Sequence, residues 1–311
     1  MHSFERRKSI ASGLVWLLLL SASFGASAQN TNPVQAIFPP GTRMIQNVAY
    51  AGDTLKKHLL DIYLPAKSGP TTPLIVWVHG GAWMLNDKYA DMSYMKNTIR
   101  SILDKGYALA SIDYRYSTTA PFPAQIQDCN QALTFLYRNA EKYNYDKSRI
   151  ALIGFSAGGH LASLLALSNN NTVPDFYVDR QPAPFRIKAV IDFYGPADLL
   201  AMMPQSGSLS DSISNPESRL LGATPLHRPD LAKRASPVTY VDKNDPPFLI
   251  IHGQKDESVP PAQSILLSSW LTLAHVKNKV IIVPDAPHYG VLFDSDVNRQ
   301  AIFDWLATYL K

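Results

Sequence analysis

Ser156 stands between Gly154 and Gly158, after the apolar run Ile150–Phe155 and before the helix-forming stretch Leu161–Leu167. A strand, a sharp turn and a helix, with a serine at the turn, lift that hydroxyl out of the backbone for nucleophilic attack. Such a turn forces the Ser156 backbone into a strained conformation. Small residues two positions to either side let the strand and the helix close on one another. The helix N-terminus that follows favours negative charge developing beside the serine. The same five residues also describe a glycine-rich turn with a surface serine, so the reading depends on partners elsewhere in the chain.

Three other stretches supply such partners. His79-Gly80-Gly81-Ala82-Trp83 follows the apolar run Leu74–Val78. Paired glycines at a strand end let backbone N–H groups converge on one point, as an oxyanion hole requires. Gly81 and Ala82 are the expected donors, with the Ala157 N–H as a third. The loop after Pro247–Ile251 carries Asp256, and the loop after Lys279–Val283 carries His288 between Pro287 and Gly290. A histidine there, off any periodic apolar face, suits a general base, with a carboxylate to orient it. Asp285 and Asp198 are rival carboxylates. Asp285 lies three residues from His288 and would need a tight turn to reach it. Asp198, after the Ile187–Ile191 run, is the stronger rival.

Other histidines fit structural roles. His160, four residues beyond Ser156, is expected to pack beneath the site, while His79 and His252 brace their loops by hydrogen bonding. His58 begins a strand, and Cys129 sits inside a helical pattern as a buried apolar residue. No metal-binding or phosphate-cradling motif is present, so the chemistry calls for no metal or cofactor.

The elements that must position these groups alternate. Apolar runs at Val48–Tyr50, His58–Tyr63, Leu74–Val78, Tyr107–Ile112, the Ile150 run, Ile187–Ile191, Pro247–Ile251 and Lys279–Val283 read as strands. Helical patterns cover residues 89–105, 123–139, 261–275 and 296–310. That alternation predicts an α/β fold with a mostly parallel sheet covered by helices on both faces, and chemistry gathers at the C-terminal ends of its strands. Residues 196–246 break the rhythm, with no convincing strand, and read as a cap-like insertion over that edge. Residues 29–44 read as an irregular arm. With 46% hydrophobic residues among 311, the chain has enough apolar material for one domain over 29–311.

Residues 1–28 read differently. Arg6, Arg7 and Lys8 precede the apolar stretch Leu14–Leu20, and Ala26-Ser27-Ala28 forms a small-residue cleavage site before Gln29. This is a secretory signal peptide, too short to span a bilayer, so a periplasmic or secreted protein without a stable membrane anchor is expected. Those residues hold three basic and one acidic side chain, so without them the net charge of +4 falls to +2. No basic cluster suggests nucleic acid. A single cysteine allows no disulfide within one chain.

His79–Trp83, Asp113-Tyr114-Arg115, Ala120–Ala124, Gly154–His160 and His252–Asp256 together resemble the α/β-hydrolase esterases. The resemblance is to the branch of bacterial feruloyl-esterase-like (BD-FAE) and hormone-sensitive-lipase-like proteins, and it runs from about residue 55 to 310. It implies a carboxylic-ester hydrolase with Ser156, Asp256 and His288 as triad and Gly81, Ala82 and Ala157 as hole donors. The chain order Ser156, Asp256, His288 is that of the family. The sequence departs from the pattern at Ala82, where many relatives carry a third glycine, and at Asn86-Asp87, where Gly-Asp is common; Asp87 is expected to brace the loop weakly. The expected substrate is a small-molecule or carbohydrate ester; Trp83, Tyr194 and Tyr289, together with Tyr114 and Tyr116, either line an aromatic cleft for a sugar or a phenolic acyl group or pack in the core and rim. A prolyl-oligopeptidase-like peptidase and an arylformamidase share the catalytic domain and stay open as alternatives, though no propeller domain favours the first and export argues against the second. A non-catalytic binding protein would have lost one of the three residues. Oligomeric state is not legible.

Overall fold

In a computed structural model, residues 34–171, 173–181, 183–205 and 212–311 are described; the expected signal peptide and its cleavage site lie outside them. The apolar runs form one sheet of eight strands: β1 (Arg43–Ala49), β2 (Leu59–Leu64), β3 (Pro73–Val78), β4 (Ala108–Ile112), β5 (Asp146–Phe155), β6 (Ile187–Phe193), β7 (Phe248–Gly253) and β8 (Asn278–Val283). Their order across the sheet is β1-β2-β4-β3-β5-β6-β7-β8. The pairs β1–β2 and β2–β4 are antiparallel, and every pair from β4 through β3 to β8 is parallel. The α/β expectation therefore holds, with an antiparallel edge added at the N-terminal side.

The helices follow from the parallel connections. They are α1 (Lys96–Asp104), α2 (Ala124–Arg138), α3 (Ala140–Tyr143), α4 (Ala157–Ser168), α5 (Leu199–Gln205), α6 (Pro216–Leu221), α7 (Pro229–Ala235), α8 (Ala262–Leu273) and α9 (Asp296–Tyr309). Alternate residues of a strand point to opposite faces. Leu74, Val76 and Val78 of β3 join the core built with α2, α4 and α8, while Ile75 and Trp77 join the core built with α1 and α9. Every residue of α4 is buried, which explains why its sequence is apolar all round rather than along one stripe. Cys129 lies buried within α2, in the apolar role expected of it.

Several boundaries differ from expectation. The helix expected over 89–105 occupies only Lys96–Asp104. Before it, the Trp77 indole N–H donates to the Ala90 carbonyl at 3.2 Å and Asp91 takes a positive φ of 68°, so these tertiary contacts hold residues 90 and 91 in turns. The arm expected to reach residue 44 ends sooner, since β1 begins at Arg43. His58 closes a 3-10 turn, Lys56–His58, instead of opening β2. The described part of 196–246 is helical, with α5, α6, α7 and a 3-10 turn at Pro237–Tyr240. Among the described residues no helix is long and apolar enough to cross a membrane.

Candidate active site

Ser156 sits between β5 and α4 with φ 52° and ψ −117°, the strained turn its surroundings call for. Its N–H donates to the Phe193 carbonyl at 2.8 Å, tying the turn to the end of β6. A non-glycine residue held this way costs on the order of 1–3 kcal/mol, which the surrounding packing must offset. The glycines on either side are sterically required. A Cβ at Gly154 would lie 2.2 Å from the Gly158 carbonyl oxygen, and one at Gly158 would lie 2.1 Å from the Val78 oxygen. The elbow is thus pressed against the end of β3, where the His79 loop begins.

The three residues expected to act together are adjacent. The Ser156 Oγ lies 2.8 Å from His288 Nε2, and His288 Nδ1 lies 2.7 Å from Asp256 Oδ2. An ionised carboxylate only accepts hydrogen bonds, so Nδ1 carries the imidazole proton and Nε2 faces the serine hydroxyl as acceptor. Asp256 Oδ1 accepts from the Ser258 and Val259 N–H groups, both at 2.9 Å. Burial pushes the Asp256 carboxyl up. Hydrogen bonds from His252 and His288, the His288 charge and the Val259 N–H outweigh burial and hold it well below the usual carboxylate range. His252 braces this loop, with Nε2 at 2.8 Å from the Val259 oxygen and 3.1 Å from Asp256 Oδ2, and Nδ1 at 2.6 Å from Ser264 Oγ. The rivals lie elsewhere. Asp198 caps α5 through the Leu200 and Ala201 N–H groups, and Asp285 pairs at the surface with Lys255 at 2.7 Å.

Gly81, Ala82 and Trp83 follow β3 with φ of 123°, 52° and 58°. This run of positive φ turns the loop over the elbow, and the N–H groups of Gly81, Ala82 and Ala157 meet no acceptor among the described residues. His79 holds the loop base, with Nδ1 at 2.7 Å from the Gly80 oxygen and its ring stacked on Tyr114 at 4.4 Å. Asp91 does the bracing assigned in part to Asp87. Asp91 Oδ2 accepts the Gly80 N–H at 2.8 Å, whereas Asp87 only accepts the Tyr89 N–H within its own turn.

A cavity of about 630 Å³ opens over Ser156, and Trp83, Tyr194 and Tyr289 all contribute to its wall. The Tyr194 ring lies 4.8 Å from that of His288, and Tyr289 is 65% exposed at the rim. Trp83 is almost wholly buried, so it presents only an edge. Tyr114 and Tyr116 do not line the cavity and take the packing role instead. Tyr114 is buried with its hydroxyl on the His79 carbonyl, and Tyr116 donates to the Asn86 carbonyl under Lys57. Asp91 and Tyr94 also line the cavity and were not expected there. The Tyr94 hydroxyl gives its proton to Asp91 Oδ1 at 2.6 Å, so the Tyr194 hydroxyl donates to Tyr94 at 2.9 Å. An acidic and an aromatic residue three apart carry no distinctive signal in sequence. The insertion adds Pro196, Met202, Pro216 and Glu217 to the wall.

His160 is fully buried beneath the site, as expected, and joins two parts of the wall. The Trp83 indole N–H donates to Nδ1 at 3.1 Å, so Nε2 carries the proton and donates to the Ala235 carbonyl of α7 at 2.8 Å. Burial pulls its pKa down to about 4, against the hydrogen bond to Ala235. Among the described residues no group of three or more His, Cys, Asp or Glu side chains is arranged to hold a metal ion.

Comparison with known proteins places this geometry in context. The protein-family model described as BD-FAE matches residues 60–271. Esterase LipQ of Mycobacterium tuberculosis (strain ATCC 25618 / H37Rv) is 33% identical over 222 residues, 70% of this chain and 50% of LipQ. The chain spans about half the length of the curated relatives it matches first. Among solved structures, a truncated form of carbohydrate esterase from gut microbiota is 32% identical with a TM-score of 0.75, covering 86% of this chain and 95% of that one. A bifunctional GH43-CE protein of Bacteroides eggerthii is 36% identical with a TM-score of 0.77, covering 85% of this chain and 35% of that one.

Proposed function

The chain belongs to the BD-FAE family and has the α/β-hydrolase fold, and from that premise we propose that it is a serine hydrolase of carboxylic esters. The observation that carries this reading is the unbroken line from Ser156 Oγ through His288 to Asp256, at 2.8 and 2.7 Å, opening into a cavity. Ser156 Oγ attacks the ester carbonyl while His288 Nε2 takes its proton, and Asp256 orients and stabilises the imidazolium. The N–H groups of Gly81, Ala82 and Ala157 hold the oxyanion of the tetrahedral intermediate. His288 then protonates the leaving alcohol, and water, activated by the same nitrogen, releases the acyl group from Ser156. Each step uses groups of this chain.

The similarity to carbohydrate esterases supports acetyl or feruloyl esters of carbohydrates, or small acyl esters, as substrates. The tyrosines at the rim suit a flat sugar or phenolic face. A panel of p-nitrophenyl esters, acetylated xylan and methyl ferulate ranks these classes. The test of the chemistry is Ser156→Ala, which is expected to abolish p-nitrophenyl acetate hydrolysis while circular dichroism stays that of the parent. Since loss of a triad member costs roughly 10⁴-fold or more, residual activity above about 1% contradicts a sole nucleophile.

A further inference from the structure

The cavity over Ser156 carries a marked asymmetry of charge. Its wall includes two carboxylic side chains outside the proposed triad, Asp91 and Glu217, and no lysine or arginine. Asp91 is occupied, with one oxygen on the Gly80 N–H and the other on the Tyr94 hydroxyl. Burial raises its pKa in spite of these bonds. Glu217 differs. It stands in the first turn of α6, on the insertion, and among the described residues no cation or side-chain donor shifts its carboxyl. Its carboxyl accepts from its own backbone N–H, and burial outweighs that bond and pushes its pKa up. Lys57 donates to the Asn86 carbonyl of this wall at 2.7 Å and is held by Asp113 at 2.9 Å. The rest of the lining is largely apolar or aromatic, so little screens a charge placed inside.

A partly desolvated carboxylate that meets no counter-ion among the described residues is costly to hold ionised. A helix N-terminus offsets a little of that cost, by roughly 0.3–1 kcal/mol, but this holds for any acidic residue in a first turn. As part of the cavity wall, Glu217 attracts a hydrogen-bond donor or a cation on the bound ester and repels an anion. We infer that Glu217 sets the charge selectivity of this site, favouring esters that carry a cationic or neutral group near the scissile bond and rejecting those that carry an anionic one. The inference rests on the esterase reading of the same cavity and adds the class of substrate it excludes.

The test measures kcat/KM at pH 8 for matched esters charged on either side of the bond. On the acyl side these are ethyl butanoate, ethyl hydrogen succinate and ethyl 4-aminobutanoate. On the alcohol side they are 3,3-dimethylbutyl acetate, acetylcholine and the acetate of 3-hydroxypropanoate. The parent is expected to disfavour the anion relative to the neutral ester by at least about tenfold on the side Glu217 faces, and the ratio is expected to shrink as salt is raised. In Glu217→Gln, which keeps the shape and the hydrogen bond to the backbone, that ratio should fall to about threefold or less. A parent that cleaves anionic and neutral esters equally, or a glutamine variant whose ratio matches the parent's on both sides, overturns the inference. If the variant does not fold, the parent's ratio and its salt dependence decide the matter alone: a small ratio, or one indifferent to salt, overturns it. A parent inactive on every ester would instead sink the esterase reading itself.

Discussion

At the scale of single residues, the site divides into groups the sequence reveals and groups it conceals. Ser156, Asp256 and His288 were legible because each stands on a short loop directly after an apolar strand, in an order with chemical meaning. The structure separates Asp256 from its rivals by what each carboxylate touches. Asp256→Asn is therefore expected to lower kcat by roughly 10²–10⁴-fold with little change in KM, because the imidazole loses its tautomer control. Asp198→Asn and Asp285→Asn should each lower it by less than about tenfold, and steady-state kinetics of the three variants decide. A dead Asp198→Asn beside an active Asp256→Asn would reverse the assignment. Ala82 offers a second check, since its φ of 52° suits glycine better than alanine. Ala82→Gly should keep most of the activity. Ala82→Pro removes the N–H and fixes φ near −65°, so it should abolish turnover, and full activity in it would exclude Ala82 from the hole. Asp91 and Tyr94 stayed hidden because their roles come from Gly80 and Tyr194, which are neighbours only in space.

At the scale of elements, strands were read more accurately than the connections between them. Long apolar runs announce buried parallel strands, whereas the first helix was expected seven residues too early because contacts from Trp77 and Gly80 override local propensity before Lys96. The short helices of the insertion, six and seven residues each, are below the length at which periodicity is readable. One of them, α7, reaches the hole loop through Ala235, His160 and Trp83. His160→Phe leaves the indole N–H and the Ala235 carbonyl buried without partners, at about 1–3 kcal/mol each. It should lower kcat by at least about tenfold, while His160→Gln, which can both accept and donate, should recover most of it. The pH dependence has a definite sign. With a folded pKa of about 4 against an ordinary 6.5, the unfolded chain binds the extra proton between those values. Stability is then complete above about pH 6.5 and falls toward pH 4, by on the order of 3 kcal/mol. Calorimetry of His160→Gln should show a flatter acid limb than the parent, and parallel limbs would remove His160 from the account.

At the scale of the whole molecule, the sheet order places the ends of β3, β5, β7 and β8 along one edge, so loops distant in sequence share a single cleft. Fold class was legible because the alternation of strands and helices leaves few other arrangements. Of the antiparallel edge, the first two strands were legible as a pair joined by the Gly52-Asp53 turn, but the pairing of β2 with β4 was not, because a hairpin does not say which neighbour it joins. Export is a property of the full chain. We propose that it is secreted with cleavage between Ala28 and Gln29, and N-terminal sequencing of the secreted material should begin at Gln29. Recovery of material retaining residues 1–28 would overturn this.

Under the proposed mechanism the nucleophile and the base are 132 residues apart, and the acid falls between them. A chain divided between Ala157 and Asp256 therefore yields one piece with the serine and every hole donor, and another with the acid and base. Neither piece holds a working centre, so ester cleavage by their mixture would report reassembly of the sheet across the β5–β6, β6–β7 or β7–β8 seam. Under the proposed function, such a split chain is its own complementation reporter, with turnover as the amplifier.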